Sequence, residues 1–159
     1  MRKRIITPKI GSTRISADDA GDSIDILHAA IIEVTSEAED YPIESAFLSD
    51  EKGWRADSPG MQTIRLLFDK PQTISSISLV FEETGAPRTQ EFVVRYSAAG
   101  TLLKEIVRQQ WNFSSPNATR ETEKYKVNLP NIDSLELEVT PDISGGTACA
   151  SLKRLRLES

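Results

Sequence analysis

The chain has 159 residues, 38% of them hydrophobic, so it is long enough for one domain with a buried core and too apolar to be disordered. Its 24 acidic and 19 basic residues give a net charge of -5, which argues against general nucleic-acid binding, because phosphate contacts need a basic face. No apolar run approaches the roughly 20 residues of a membrane helix, and the basic start at Met1 lacks the apolar stretch of a secretory signal.

Residues 1–29 are predicted to be an N-terminal extension that packs on, or leads into, a domain formed by residues 30–159. Within the extension, residues 4–7 are a candidate edge strand. The apolar stretch 24–34 is ambiguous, and we interpret its end, residues 30–34, as the first strand of the domain. Residues 43–48 are the candidate for a short helix.

Five later segments alternate apolar and polar residues, a period of two that is typical of strands with one buried and one solvated face. In chain order, their apolar residues are Ile64, Leu66 and Phe68; Ile77, Leu79 and Phe81; Phe92, Val94 and Tyr96; Tyr125, Val127 and Leu129; and Leu135, Leu137 and Val139. Residues 104–111 and 151–157 are two further candidate strands. About eight strands joined by Gly- and Pro-containing turns predict an all-β fold, an antiparallel two-sheet jelly-roll sandwich.

Short motifs occur in an order that resembles the discoidin or factor V–VIII C-type domain family, over roughly residues 30–158. They lie at residues 33–37, 43–50, 53–56, 62–68, 74–79, 91–100, 135–139 and 150–157. The resemblance implies a galactose-binding-like sandwich that recognises glycans, lipids or proteins at one end. Within this fold, residues 54–56, Gly60, residues 63–64 and the turn at 97–100 resemble the N-terminal domain of the X-ray repair cross-complementing scaffold protein, which implies protein docking inside cells.

Sugar-binding members of the resembled family often hold a structural Ca²⁺, with ligands from the loop before the conserved Trp and from a Glu on the last strand. The chain has Asp50 in that loop but Arg154 where the Glu is usual. Because a guanidinium repels a hard cation, we expect no calcium site and no other metal or cofactor.

The candidate ligand-binding residues lie in segments predicted to meet at one end of the sandwich: Tyr41, Arg88, Trp111, Asn112, Arg120 and Asp142. Aromatic faces stack on sugars, and amide or guanidinium donors bind hydroxyls and carboxylates. The alternative for Trp111 is that it closes the core together with Phe113. Trp54 is expected in the core, because the resembled family buries its Trp there.

Catalytic signals are weak. His28 is the only histidine, no phosphate loop or nucleophile elbow is present, and Glu136 and Glu138 fit the solvated face of a strand. The leading hypothesis is therefore a non-catalytic module that binds carbohydrate, and the alternative is an intracellular protein-interaction module. The single cysteine, Cys149, permits no intramolecular disulfide and favours a cytoplasmic location.

Overall fold

The computed structural model describes residues 2–5, 23–48 and 52–159. Strands dominate these residues, which confirms the predicted all-β fold. The strands are β1 Arg2–Ile5, β2 Ala30–Val34, β3 Trp54–Pro59, β4 Gln62–Glu82, β5 Arg88–Ala98, β6 Lys104–Phe113, β7 Arg120–Thr140, β8 Cys149–Leu152 and β9 Arg154–Glu158. The helices are short: α1 covers Ile26–Ala29, and a 3₁₀ helix, η1, covers Ile43–Ala46.

The larger of the two sheets has the strand order β1-β2-β4-β7-β5-β6, and β9 also pairs with β4. β3 and β8 form a separate two-stranded sheet. β1 pairs with β2 in parallel, whereas the strands of the sandwich proper pair antiparallel. This arrangement is the two-layer sandwich expected from the alternation.

β4 and β7 have 21 residues each, and each joins two segments that the sequence analysis treats as separate strands. The first half of β4 lies between β2 and the end of β7, and its second half lies between β9 and the beginning of β7. The β4–β7 register shifts three times between Leu67 and Ser76, where Pro71 interrupts β4 and Pro130 interrupts β7. Since proline cannot donate to the ladder, the pairing is irregular there, and the two halves of β4 have different neighbours on their other side.

One core fills the space between the layers, and the apolar series of the sequence supply most of it. Ile64, Ile77 and Val139 are at most 1% exposed. Tyr125 and Val127 are only half-buried, because they lie where β7 forms the margin of its layer. Alternation therefore predicts which residues face inward, while the position of the strand decides how completely they are buried.

Several element boundaries differ from the sequence-based predictions. The edge strand begins at Arg2 rather than at residue 4, and residues 6 and 7 lie outside the described part of the chain. The helix predicted at 43–48 is the shorter η1. The last predicted strand is divided into β8 and β9 at Lys153, whose N–H donates to the Val80 carbonyl instead of continuing either strand. β3 was not predicted, because its alternation covers only residues 54–57 and Pro59 ends the strand.

The N-terminal strand is anchored by a buried lysine. Lys3 is 3% exposed, and its Nζ lies 3.2 Å from Glu37 and also contacts Glu44. A buried ammonium is tolerated when carboxylates surround it. This part of the N-terminal extension therefore packs on the domain, whereas the boundary at residue 30 stays a prediction.

Glu136 and Glu138 belong to a row of alternating charges across one face of the larger sheet. Arg65 donates to Glu33 and Glu136 across strand pairs, and Arg95 donates to Glu136 and Glu138, at N–O distances of 2.9–3.3 Å. Both arginine pKa values are raised, since the hydrogen bonds with glutamates outweigh desolvation. Each glutamate of the row thus has an arginine partner, which explains these glutamates as structural residues.

Trp54 lies in the core, as expected. It is 1% exposed, and its Nε1 donates to the Ser36 carbonyl over 2.9 Å. The indole therefore fills the core and also attaches the segment after β2 to β3. Both roles require the full ring.

Replacing Trp54 with alanine should lower the free energy of unfolding by about 3–5 kcal/mol, because the cavity cannot refill and the Ser36 carbonyl loses its donor. Chemical denaturation measures this loss. Leu102→Ala is the control: Leu102 is 88% exposed, so the change should stay within about 0.5 kcal/mol. Equal stability of the two variants would show that Trp54 does not support the core.

Candidate functional site

A shallow concavity lies where β3, the end of β4 and the β8–β9 junction meet, and it has a volume of about 350 Å³. We call it the Tyr41 concavity. Its lining residues are Tyr41, Lys52, Trp54, Arg55, Glu82, Ser151, Leu152 and Lys153. The strand pairing of Trp54 with Leu152 and of Arg55 with Ser151 forms one wall. The site is thus supported mainly by paired strands, which position side chains more rigidly than loops do.

Gly53 allows two lysines to approach the concavity from different parts of the chain. Its φ is +77°, and a Cβ at this position would lie 2.8 Å from the Leu152 carbonyl oxygen and 2.9 Å from Lys153 Cα. Only glycine fits both the conformation and the space. The backbone before β3 therefore packs directly on the β8–β9 junction, and Lys52 and Lys153 line the same concavity.

Tyr41 provides the aromatic surface of the concavity. It is 38% exposed, and both Lys52 Nζ and Arg55 Cζ lie 5.7 Å from the centre of its ring. Its backbone is held in place, because its N–H donates to Ala38 and its carbonyl accepts from the N–H of Arg55. The backbone therefore holds Tyr41 at this place on the surface, with two cations beside its ring.

Two consecutive carboxylates organise the charges at this end of the sandwich. Glu83 is buried and accepts from Arg55 over 3.1 Å, from Arg88 over 3.0 Å and from the Ser151 hydroxyl. Glu82 is 37% exposed and pairs with Lys153 over 3.1 Å and with Arg120 over 3.2 Å. The hydrogen bond from Lys153 holds the pKa of Glu82 below its usual range, so this carboxylate stays ionised at neutral pH.

The structure places three of the six predicted site residues in the concavity or on the two carboxylates beside it. Tyr41 lines the concavity, and Arg120 is exposed beside it on Glu82. Arg88 also belongs to the cluster, but its side chain is 10% exposed and is bound to Glu83 and to the Cys149 carbonyl. Arg88 therefore differs from the expected exposed donor, because the ion pair turns it inward.

The other three predicted residues do not line the concavity. Asp142 accepts from the N–H and hydroxyl of Ser144, and these bonds, with a smaller contribution from Arg88, lower its pKa. Asn112 is exposed, and its Oδ1 accepts from Thr89 across the β5–β6 pair. Trp111 is half-buried edge-on to the buried Phe113, so it packs against the core, the alternative raised from the sequence.

Trp111 also borders a buried row of polar side chains between β5, β6 and β7. Gln90 pairs with Trp111 across β5 and β6, and its Nε2 donates to Glu121 over 3.3 Å. Gln90 and Glu121 are both 0% exposed. Burial, followed by the hydrogen bond and charge of Glu123, raises the pKa of Glu121 to about 8. Glu121 is therefore protonated at neutral pH, and its carboxyl group is part of the protein interior rather than of the surface.

Metal coordination has no support in residues 2–5, 23–48 and 52–159, where no group of three His, Cys, Asp or Glu residues could hold an ion. Asp50, the expected loop ligand, lies outside these residues. Arg154 begins β9 and is half-buried opposite Val80.

No helix among the described residues is long and apolar enough to cross a membrane.

The sequence analysis missed most of the residues that line the concavity, namely Lys52, Arg55, Glu82, Ser151 and Lys153. One available signal was the pair Glu82–Glu83 directly after an apolar strand, since adjacent strand residues point to opposite sides and a buried carboxylate needs a cationic partner. The other was Lys153, which interrupts the alternation of the last predicted strand.

No protein-family model and no curated protein sequence matches the chain. Solved structures match it in fold. The family 32 carbohydrate-binding module of NanJ from Clostridium perfringens, in complex with galactose, gives a TM-score of 0.64 over 87% of this chain and 98% of that chain, at 14% identity. CBM32-3 from a family 31 glycoside hydrolase of C. perfringens gives 0.62 over 87% and 95%, at 17% identity.

A third structure, the CBM32 of AlyQ in complex with 4,5-unsaturated mannuronic acid, gives a TM-score of 0.57 over 79% of this chain and 92% of that chain, at 15% identity. At identities of 14–17%, these similarities show that the fold is shared. It confirms the galactose-binding-like sandwich that the order of motifs predicted.

The raised pKa of Glu121 makes stability depend on pH. An unfolded glutamate releases its proton near pH 4.5, whereas folded Glu121 keeps it to about 8. Between these values the folded state binds more protons, so the free energy of unfolding should fall as the pH rises. Denaturant titrations at pH 5, 7 and 9 measure this slope.

Glu121→Gln should flatten the dependence and make the protein more stable than the wild type at pH 9, because the buried amide cannot ionise. Glu105→Gln is the matched control, since Glu105 is 45% exposed on β6 and should keep the wild-type slope. A wild-type stability that is constant or rises from pH 5 to 8 would contradict the assignment.

Proposed function

We propose that the chain is a non-catalytic recognition module that binds a carbohydrate in the Tyr41 concavity. The observation that carries the proposal is an exposed tyrosine ring fixed beside Lys52 and Arg55, in a concavity that also presents Glu82 and Lys153. Sugars offer apolar ring faces and hydroxyl groups, and this site offers an aromatic surface with charged donors and one carboxylate acceptor.

The shape of the site suits a saccharide better than a large apolar ligand. The concavity is shallow and its lining is dominated by polar and charged groups, whereas pockets for drug-like molecules are deeper and mostly apolar. Hydrogen bonds to charged groups contribute about 1.5–3 kcal/mol each, so a few of them give useful affinity without deep burial.

The solved structures of the same fold support this class of ligand. The NanJ module binds galactose, and the AlyQ module binds 4,5-unsaturated mannuronic acid. Neither identity exceeds 15%, so the ligand of this chain has to be argued from its own residues.

The carboxylates beside the concavity support binding rather than hydrolysis. A general acid for glycoside cleavage needs a raised pKa. Glu82 has a lowered pKa because Lys153 and Arg120 hold it ionised, and Glu83 is bound to two arginines. Glu121 has the raised pKa but is fully buried. The carboxylates that the structure describes here therefore do not combine an acid role with a base role.

A protein-interaction role is the second candidate, and one observation favours it. Leu102 is 88% exposed and Leu103 is 45% exposed in the β5–β6 connection, at the end of β5 away from Arg88. Two adjacent exposed leucines suit a protein contact. The resemblance to the repair scaffold and the cytoplasmic location stay predictions.

The test is a glycan array followed by calorimetric titration of the retained saccharides. Tyr41→Ala should weaken binding by about 10-fold or more, because the aromatic surface is lost, which corresponds to about 1.4 kcal/mol. The melting temperature should change by no more than about two degrees, since the backbone bonds of Tyr41 remain.

Leu103→Ala is the control, because Leu103 has similar exposure at the other end of the sandwich. It should leave saccharide binding unchanged. An array without any retained glycan would refute the proposal. Equal loss of binding in both variants would show that the concavity is not the site.

A further inference from the structure

One hydrogen-bond donor and one acceptor lie unsatisfied inside the sandwich, where β5, β6 and β7 meet. They are the indole Nε1–H of Trp111 and the amide Oε1 of Gln90, and no described group of the protein completes a hydrogen bond with either atom. Gln90 is 0% exposed, and Nε1 is shut off from solvent although the Trp111 ring is only half-buried. Buried polar atoms of native proteins nearly always have a partner, which is either another protein group or an ordered water.

The strand pairing places the two residues side by side. Gln90 of β5 is the direct antiparallel partner of Trp111 of β6. Residues that are directly opposed in this way project to the same face of the sheet, with Cβ atoms about 4.5–5.5 Å apart. The unsatisfied donor and the unsatisfied acceptor therefore belong to neighbouring side chains on the same interior face.

The surrounding side chains are polar, and their own hydrogen bonds are already made. The other end of the Gln90 amide, Nε2, donates to Glu121 Oε1 over 3.3 Å, and the Glu121 carboxyl group is also hydrogen-bonded to Glu123. Farther along β6, Gln109 accepts from the Tyr125 hydroxyl over 3.5 Å. Glu121 thus supplies a third polar group beside the unsatisfied pair.

The chemistry of the pair selects the kind of ligand. A cation would match the amide oxygen but not the indole N–H, and an anion would match the N–H but not the oxygen. A saccharide is too large to reach a nitrogen that solvent does not contact. Water both accepts and donates, and a buried water needs only two to four polar partners.

We propose that one ordered water binds between Trp111 and Gln90, accepting a hydrogen bond from Nε1 and donating one to Oε1, with the Glu121 carboxyl group as its third polar neighbour. Among the described strands, β6 pairs with β5 alone. The water and the bond between Gln90 and Glu121 therefore link β6 to β7 through side chains. This site is separate from the Tyr41 concavity and does not depend on the proposed function.

A high-resolution crystal structure tests the site directly. We expect a water oxygen about 2.7–3.2 Å from both Trp111 Nε1 and Gln90 Oε1. A direct hydrogen bond between Trp111 and Gln90 with no water beside it, produced by a turned amide or a shifted ring, would overturn the proposal.

Nuclear magnetic resonance tests the site in solution. A bound water should give a rotating-frame Overhauser signal to the Trp111 indole proton with a sign opposite to that of the diagonal, whereas proton exchange with solvent gives the same sign. Trp54 is the internal control, because its Nε1 donates to the Ser36 carbonyl over 2.9 Å and should give no such signal. Trp111→Phe assigns the two indole protons. No signal at Trp111, or equal signals at both tryptophans, would contradict the site.

Three variants identify the partners of the water. Gln90→Met should reduce the signal at least about twofold, because it removes the acceptor while keeping the length of the side chain. Gln110→Met makes the same change at an exposed position of β6 and should leave the signal unchanged. Glu121→Gln should keep the signal, since the amide is polar but has no hydroxyl proton.

The variants also separate a water from its neighbours. Loss of the signal in Glu121→Gln would show that it arose from the carboxyl proton of Glu121, and an undiminished signal in folded Gln90→Met would show that Gln90 does not hold the water. Either result would overturn the proposal. If Gln90→Met does not fold, the wild-type protein and Glu121→Gln still decide the question.

Discussion

Glu82 and Glu83 stand next to each other at the end of β4, and four cationic side chains from separate parts of the chain meet them. Neighbouring residues of a strand point to opposite sides, so Glu83 turns inward and Glu82 turns toward solvent. A buried carboxylate is tolerated only with partners. The pair therefore fixes the ends of β3, β5 and β7 and the β8–β9 junction relative to β4; the cations involved are Arg55, Arg88, Arg120 and Lys153.

The continuity of β4 and β7 makes this meeting possible. Each strand continues through the irregular pairing near Pro71 and Pro130, and β4 ends at Glu82, close in the chain to Arg88 at the beginning of β5. The concavity is consequently built on strands that also hold the core together. Glu83 stabilises the fold beneath the concavity, whereas Tyr41 and Lys52 line its surface.

The same residue type has three different roles in this sandwich, because the surroundings set its charge. Glu136 accepts hydrogen bonds from two arginines, Glu121 is protonated because it is buried beside Glu123, and Glu82 is held ionised by Lys153. Only Glu82 lines the concavity. This separation explains why Glu121 and Glu136 add no carboxylate to the lining of the concavity.

The sequence by itself determined the fold class, the inward face of most strands and the core position of Trp54, because these depend on local alternation and on the order of short motifs. It also predicted that Tyr41 and Arg120 lie at the same end of the sandwich. The tertiary structure alone decided that Arg88 turns inward to Glu83, that Trp111 packs edge-on to Phe113, and that Lys52 and Lys153 line one concavity beside Gly53. These facts arise from contacts between residues that are far apart in the chain, and a local pattern carries no information about which cation a distant carboxylate will hold.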